Sequence, residues 1–332
     1  MGVALRAVVV GCGSMGVEAS GTRDVVGVAT HAEAYQRCRR TRLVGLCDPD
    51  AARLARAGQR LGVAEQHAEL DALLASCEPQ LVSICTPDAT HFTLARRAIE
   101  HPGVMGVLVE KPLAGSVEEA GALVAAAEAR GVVLAVNHSR RYAPALQALS
   151  DELAAGSFGR VQAITGYCTK GVLRNGSHWL DLARFLGGDV REVRAQLARE
   201  SDPADPDLHV QLAFASGAFG QMVSLDARAH AMFEMDVVGT VWRERLSDSA
   251  HVRESFRVGD SARYPGYRTL GAREVSEVDF RDLALHAVDD LARAVQEGAA
   301  VRCSGRDGRA AVRLATAAIE AARTGRSVEV EP

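Results

Sequence analysis

Short, nearly continuous apolar runs alternate with stretches of helical period over the N-terminal part of the chain. Arg6 to Val10, Leu43 to Cys47, Leu81 to Cys85, Gly106 to Val109 and Val132 to Val136 are rich in Val, Leu and Ile. This predicts strands of a parallel sheet buried on both faces by helices. One intervening helix carries its own punctuation: Ser116 with Glu119 three residues later forms a capping signal, and Gly131 marks the end. From about Val161 the period changes to two. His209 to Phe214 and Phe219 to Val223 alternate on either side of Ser216-Gly217, the pattern of a hairpin in an antiparallel sheet. Further strands are expected over Val161 to Thr169, Phe233 to Gly239 and Val252 to Val258, with the helices Ser177 to Leu186 and Phe280 to Gln296 covering the apolar face of this sheet. The alanine-rich tail Asp307 to Arg323 reads as an amphipathic helix, Ser201 to Asp207 as a surface loop, and no internal repeat is seen.

A length of 332 residues favours two domains. With 48% hydrophobic and 24% charged residues the composition is that of a folded globular chain, and no apolar run approaches the ~20 residues of a membrane-spanning helix. The net charge of −4, with both signs interspersed, offers no basic face, so neither nucleic acid nor a membrane surface is expected as a partner. The seven cysteines form no C-x-x-C pair and read as reduced core thiols of a cytoplasmic protein. No export signal is expected, and Arg6 stands where a myristoylation motif after Gly2 needs Ser or Thr. Of the 38 basic residues only Lys111 and Lys170 are lysine. Arginine serves wherever charge alone matters but cannot release its proton, so a retained lysine marks a candidate for proton chemistry, with compositional drift as the plain alternative.

Gly11-Cys12-Gly13-Ser14-Met15-Gly16 follows the first strand directly. The spacing suits a tight turn, close approach of a pyrophosphate to the backbone, and close packing of the next helix. Asp48 ends the second strand, where a carboxylate accepts hydrogen bonds from ribose hydroxyls and repels a 2′-phosphate, favouring NAD over NADP. It lies about a dozen residues later than the ~20-residue spacing of such motifs, an excess that fits an insertion around Glu18 to Val28 before a helix from His31 to Arg39. Three further strand ends carry polar groups: Cys85-Thr86-Pro87-Asp88-Ala89-Thr90-His91, Glu110-Lys111-Pro112, and Asn137-His138-Ser139-Arg140-Arg141-Tyr142. Thr86 either caps the following helix or touches the cofactor. His138, His209 and His230 have no second ligand at metal spacing, so no metal site is expected.

These motifs, with C-D-P-D at Cys47 to Asp50, G-S-H-W-L-D-L-A-R-F-L-G-G at Gly176 to Gly188 and S-G-R-D-G at Ser304 to Gly308, resemble the glucose-fructose oxidoreductase, inositol dehydrogenase and rhizopine-catabolism (Gfo/Idh/MocA) family along almost the whole chain. The resemblance implies an α/β chain: an NAD-binding Rossmann domain over 1–138, then an α+β domain over 139–332 built on a large open, mainly antiparallel sheet that binds substrate and pairs subunits into a homodimer or homotetramer. It implies an NAD-dependent oxidoreductase interconverting a secondary hydroxyl and a ketone on a sugar, aminosugar, nucleotide-sugar or cyclitol. A redox-neutral epimerase or lyase with recycled NAD, and a non-catalytic NAD-sensing regulator, are the alternatives.

Carried over by position, Lys111 lies beside the nicotinamide and reacting hydroxyl, Glu110 faces the cofactor ribose, and His178 is the acid/base with Asp181 after it. Gly11, Gly13, Ser14, Met15, Gly16, Asp48, Thr86, Pro87 and His91 complete the cofactor candidates. Arg141, Tyr167, Lys170, Arg174 and Asn175 join Lys111, His178 and Asp181 as substrate candidates. Arg174 departs from the family pattern, which has an aspartate four residues before the histidine; it could grip an anionic or carbonyl-bearing substituent. The chemistry agrees with these roles: a departing hydroxyl proton needs a group titrating near neutrality, as histidine does, and a developing alkoxide needs a compact donor. Plain alternatives remain for three of them: His178 lines or caps its helix, Lys170 is a solvated strand-end charge, and Asp181 makes a structural bond rather than orienting His178. Trp179 and Phe185 read as core.

Overall fold

The computed structural model describes residues 3–18 and 27–331. Most of the insertion expected over Glu18 to Val28, and Gly2 of the lipidation motif, lie outside the described residues. The chain forms two compact units, one of residues 1–142 with 280–312, the other of 143–279 with 313–332.

The first unit holds a six-stranded parallel sheet: β1 (Leu5–Val10), β2 (Thr41–Cys47), β3 (Glu65–His67), β4 (Leu81–Ile84), β5 (Gly106–Glu110) and β6 (Val133–Asn137), in the order β3-β2-β1-β4-β5-β6. Every residue of β4 and β5 is buried, as continuous apolar runs require. The reversal of strand order beside β1 opens a crevice at the carboxyl ends of the strands, where the polar motifs sit. The helix Val117–Arg130 starts and stops as its sequence predicts: Ser116 Oγ accepts the Glu119 N–H, and Gly131 takes a left-handed φ of 66°. β3 was not expected; Glu-Gln-His is polar, and its pairing with β2 alone marks an edge strand.

The helix Leu283–Glu297 corrects an expectation. The segment Phe280 to Gln296 packs on β5, β6 and the helix His31–Arg37, not on the second sheet. A Cβ on Gly106 would lie 3.0 Å from both Leu291 and Val295, so the bare glycine lets this helix lie against β5. Its apolar stripe announces a buried face without naming the sheet that covers it.

The second unit holds nine strands in a mixed, mostly antiparallel sheet: β7 (Val161–Cys168), β8 (Val190–Leu197), β9 (Leu208–Phe214), β10 (Phe219–Ser224), β11 (Phe233–Gly239), β12 (Trp242–Ser247), β13 (Val252–Asp260), β14 (Arg268–Glu277) and β15 (Val328–Glu329). β9 and β10 form the expected hairpin, with Gly217 at φ 83°, while β10 runs parallel to β7. The helix Ser177–Gly187 covers the apolar face. Its Trp179 is fully buried and donates its indole N–H to the Glu234 carbonyl at 3.0 Å. Gly166 on β7 makes the room, since a Cβ there would lie 2.9 Å from the indole nitrogen. β8, β12 and β14 were not expected, because their residues carry too many charges to read as half-buried strands. Among the described residues no helix is long and apolar enough to cross a membrane.

Candidate functional site

At the end of β1 the three glycines do different work. Gly11 adopts φ 94°, and a Cβ there would lie 2.5 Å from the Cys85 carbonyl oxygen. A Cβ on Gly16 would come within 1.8 Å of the Gly11 carbonyl oxygen. A Cβ on Gly13 would meet nothing within 4 Å, so the space beside that glycine is open and a phosphate could approach its backbone.

The turn that follows is the first turn of an interrupted helix. Val17 and Glu18 N–H groups bond the Gly13 carbonyl, and further along the turn the carbonyls of Met15 and Gly16 accept from His31 N–H and Ala32 N–H at 3.0 Å. His31 and Ala32 therefore occupy the places of residues 19 and 20 in an uninterrupted helix. Removing the insertion of about a dozen residues restores the ~20-residue spacing from Gly16 to Asp48. Asp48 is buried; its Oδ2 accepts the Cys12 N–H at 2.8 Å and its Oδ1 the Asp50 N–H at 2.9 Å, with Arg53 Nη1 3.5 Å from both. Two bonds from backbone N–H groups leave lone pairs on each oxygen for further donors. Ser14 and Met15 are exposed on the same turn.

Three thiols line this end of the sheet. Burial, reinforced by the Asp48 carboxylate, pushes Cys12 up to about 12; burial does the same for Cys47, also to about 12, and raises Cys85 well above the ordinary thiol value. With the thiolates disfavoured in this way, native protein treated with iodoacetamide at pH 8 is expected to stay unmodified at these positions by peptide mass spectrometry, with full alkylation after denaturation.

The turn after β5 carries Glu110, half-buried Lys111 and Pro112, joined by a cis Lys111–Pro112 bond. Glu110 Oε1 lies 3.0 Å from His31 Nε2 and accepts from Asn137 Nδ2 at 2.7 Å; His31 Nδ1 lies 2.9 Å from Ser83 Oγ, which is 2.8 Å from the Tyr35 hydroxyl. All five groups are buried. Burial pushes the Glu110 carboxyl up, but the bonds from His31 and Asn137 and the neighbouring Lys111 ammonium outweigh it and hold the acid below the ordinary glutamate range. His31 was missed as a site residue. Its signal was its return to the interrupted helix, visible only once the insertion is removed.

On the other side of the turn His91 is fully buried. Its Nδ1 meets the Pro112 carbonyl at 2.6 Å and its Nε2 the Thr86 carbonyl at 2.8 Å. Both ring nitrogens are spent on backbone, so this cofactor candidate ties two turns together. Thr86 Oγ1 accepts from Thr90 and caps no helix N–H, and Pro87 is exposed beside it. Arg141, the substrate candidate beyond the end of β6, is likewise braced within the first unit. It is buried against Asp307 at 3.2 Å and the Arg302 carbonyl, where the returning segment neutralises it.

In the second unit, β7 ends in exposed Tyr167 and exposed Lys170, the latter in a left-handed conformation at φ 74°. A wide helical turn, Gly171–Gly176, leads into Ser177–Gly187, with Asn175 half-buried on the turn and half-buried His178 in the first turn of that helix. Asp181 is buried one turn on. The loop read as a plain surface connection holds this turn in place: Asp207 accepts the Gly171 N–H and pairs with Arg199, and Asp205 accepts the Leu173 N–H at 2.6 Å. Arg174, offered as a grip for an anionic substituent, has 80% of its side chain exposed and faces Asp205 at 3.8 Å.

Comparison with known proteins matches residues 5–138 to an oxidoreductase-family NAD-binding Rossmann domain and residues 166–330 to the C-terminal alpha/beta domain of the same family. D-apiose dehydrogenase of Paraburkholderia graminis is 29% identical, covering 91% of this chain and 86% of the relative. UDP-N-acetylglucosamine 3-dehydrogenase of Acidithiobacillus ferrooxidans is 30% identical over 84% of this chain and 88% of its own length. An oxidoreductase from Agrobacterium radiobacter, solved with NAD+, L-tartaric acid and magnesium, superposes with a TM-score of 0.78 at 22% identity and covers 98% of each chain. Matched in both halves and in the order of its motifs, the chain belongs to the Gfo/Idh/MocA oxidoreductase family, with an NAD-binding Rossmann domain at its N-terminal end.

Proposed function

We propose that the protein oxidises or re-forms a secondary hydroxyl of a sugar, aminosugar, nucleotide-sugar or cyclitol, using NAD. The open space beside Gly13 and the buried carboxylate of Asp48, with acceptor capacity to spare for a ribose diol, fit the dinucleotide. When bound, NAD supplies the hydride acceptor.

The chain's own residues supply the rest. Lys111 holds the reacting oxygen with its ammonium and offsets negative charge as the hydroxyl proton leaves. His178 takes that proton. Tyr167, Lys170 and Asn175 grip the remaining hydroxyls, and Arg174, drawn to Asp205, replaces the family's aspartate without taking over its acid/base role. The observation that carries this reading is one of the chain's two lysines standing half-buried beside an ionised, buried glutamate at the carboxyl end of a central parallel strand. Asp48 disfavours a 2′-phosphate by charge, so NAD is preferred to NADP.

The test is to mix purified protein and NAD with a panel of aldoses, aminosugars, nucleotide-sugars and inositols and follow absorbance of reduced nicotinamide. Turnover with at least one member is expected. Tight NAD binding with turnover of none overturns the reading.

A further inference from the structure

Two buried imidazoles flank the Glu110-Lys111-Pro112 turn, and each is held at both ring nitrogens. His91 faces two carbonyl oxygens, of Pro112 at 2.6 Å and of Thr86 at 2.8 Å. Both ring nitrogens are therefore spent on backbone oxygens, one from each turn. His31 is different. If its Nδ1 carried a proton, Ser83 Oγ would accept it, and among the described residues one of the buried Ser83 and Tyr35 hydroxyl protons would have no acceptor. The chain is satisfied in one direction: Tyr35 donates to Ser83, Ser83 to His31 Nδ1, and His31 Nε2–H to Glu110.

We propose that His31 and His91 are positioning residues for Lys111: His31, as the Nε2–H tautomer, fixes the side chain of Glu110, and His91 bridges the Pro112 and Thr86 carbonyls, so that the intervening lysine is presented from a turn held at both ends. Neither ring is free to do more. His31 has no exposed surface, its two nitrogens are taken, and Asn137 closes the remaining approach to Glu110 Oε1. Misplacement of a catalytic group by ~1 Å costs up to about a hundredfold in rate, so such clamps matter although they touch no reactant. The helix that brings His31 back after the insertion thereby connects the phosphate-binding turn with the lysine. The inference rests on the reading of Lys111 given above only for what the lysine does, not for how it is held.

The composition makes the test direct. Because Lys111 and Lys170 are the only lysines, protein labelled with ¹³C at lysine Cε gives two side-chain signals, and a Lys170→Arg sample assigns them. In wild type the Lys111 signal is expected to be displaced from that of exposed Lys170 and to shift when NAD+ is added. His31→Asn keeps an acceptor for Ser83 but removes the donor to Glu110; His31→Gln keeps a donor near the Nε2 position. His31→Asn and His91→Gln are expected to move the Lys111 signal onto that of a free lysine and abolish its NAD+ response, and His31→Gln to retain both. Unchanged Lys111 signals in His31→Asn and His91→Gln overturn the proposal.

A measurement on wild type needs no variant to fold. Imidazole ¹⁵N spectra should show His31 Nδ1 unprotonated and Nε2 protonated, and the opposite assignment overturns the proposal. A wild-type Lys111 signal that ignores NAD+ would count against the placing of Lys111 beside the cofactor while leaving the ring assignment of His31 standing.

Discussion

Replacing Lys111 with methionine is expected to lower kcat by about 10²–10⁴-fold, the range for loss of a positioned proton-handling group. Methionine keeps most of the side chain's length and bulk but carries no charge and no donor, so the reacting oxygen loses its electrostatic partner as negative charge builds on it. The dissociation constant for NAD should change little, because Gly11, Gly13, Gly16 and Asp48 lie on other strand ends and keep their geometry. Arginine at the same position should rescue poorly despite its charge: its planar head does not fit where a compact ammonium does, and its proton is held too tightly to leave. The measurement is steady-state kinetics on whichever panel substrate turns over, with NAD binding by calorimetry alongside. A variant that binds NAD normally and turns over at the wild-type rate would remove Lys111 from the mechanism.

The largest expected loss of stability follows from Trp179→Ala. The indole is fully buried between its helix and the strands below, and truncation of such a side chain costs about 3–5 kcal/mol. The Glu234 carbonyl loses its donor as well, at a cost of about 1 kcal/mol. Gly166 makes the cavity hard to collapse, since no side chain stands on that side to move inward. The chain has two tryptophans, so the variant leaves Trp242, stacked on Phe158 at 4.8 Å, as the sole indole reporter within the same unit. Urea unfolding followed by its fluorescence should show a much lower midpoint at a similar slope. An unfolding free energy within about 0.5 kcal/mol of wild type, the usual range for surface changes, would mean the indole is not the keystone of that core.

The parallel sheet was legible because strands buried on both faces are written as unbroken apolar runs, and Leu81–Ile84 and Gly106–Glu110 are fully buried as such runs demand. Strands with one face open to solvent were legible only where polar and apolar residues alternate cleanly. Phe233–Gly239 does so and was read residue for residue, whereas Arg268–Glu277, exposed throughout at the sheet edge, carries no apolar face to betray it. The site divides along a similar line. Local motifs such as the glycine turn and Glu110-Lys111-Pro112 stand out in the chain. The supporting partners do not, because the contacts of His31 with Glu110, His91 with Pro112 and Arg141 with Asp307 join residues far apart in sequence. Arg141 and His91 were singled out for polarity at strand ends, and polarity alone does not tell a ligand contact from a buried brace.

The return of residues 280–312 to the first unit has a practical consequence for anyone wishing to dissect the molecule. A gene fragment stopping after Tyr142 would encode every strand of the parallel sheet yet leave Gly106, Leu134 and Val136 without Leu291, Val295 and the Ser304–Gly308 backbone that cover them. Such a fragment would present fresh apolar surface to water and be prone to self-association. The nucleotide-binding half is therefore not a severable cassette, and exchanging it between relatives requires grafting two stretches of chain together.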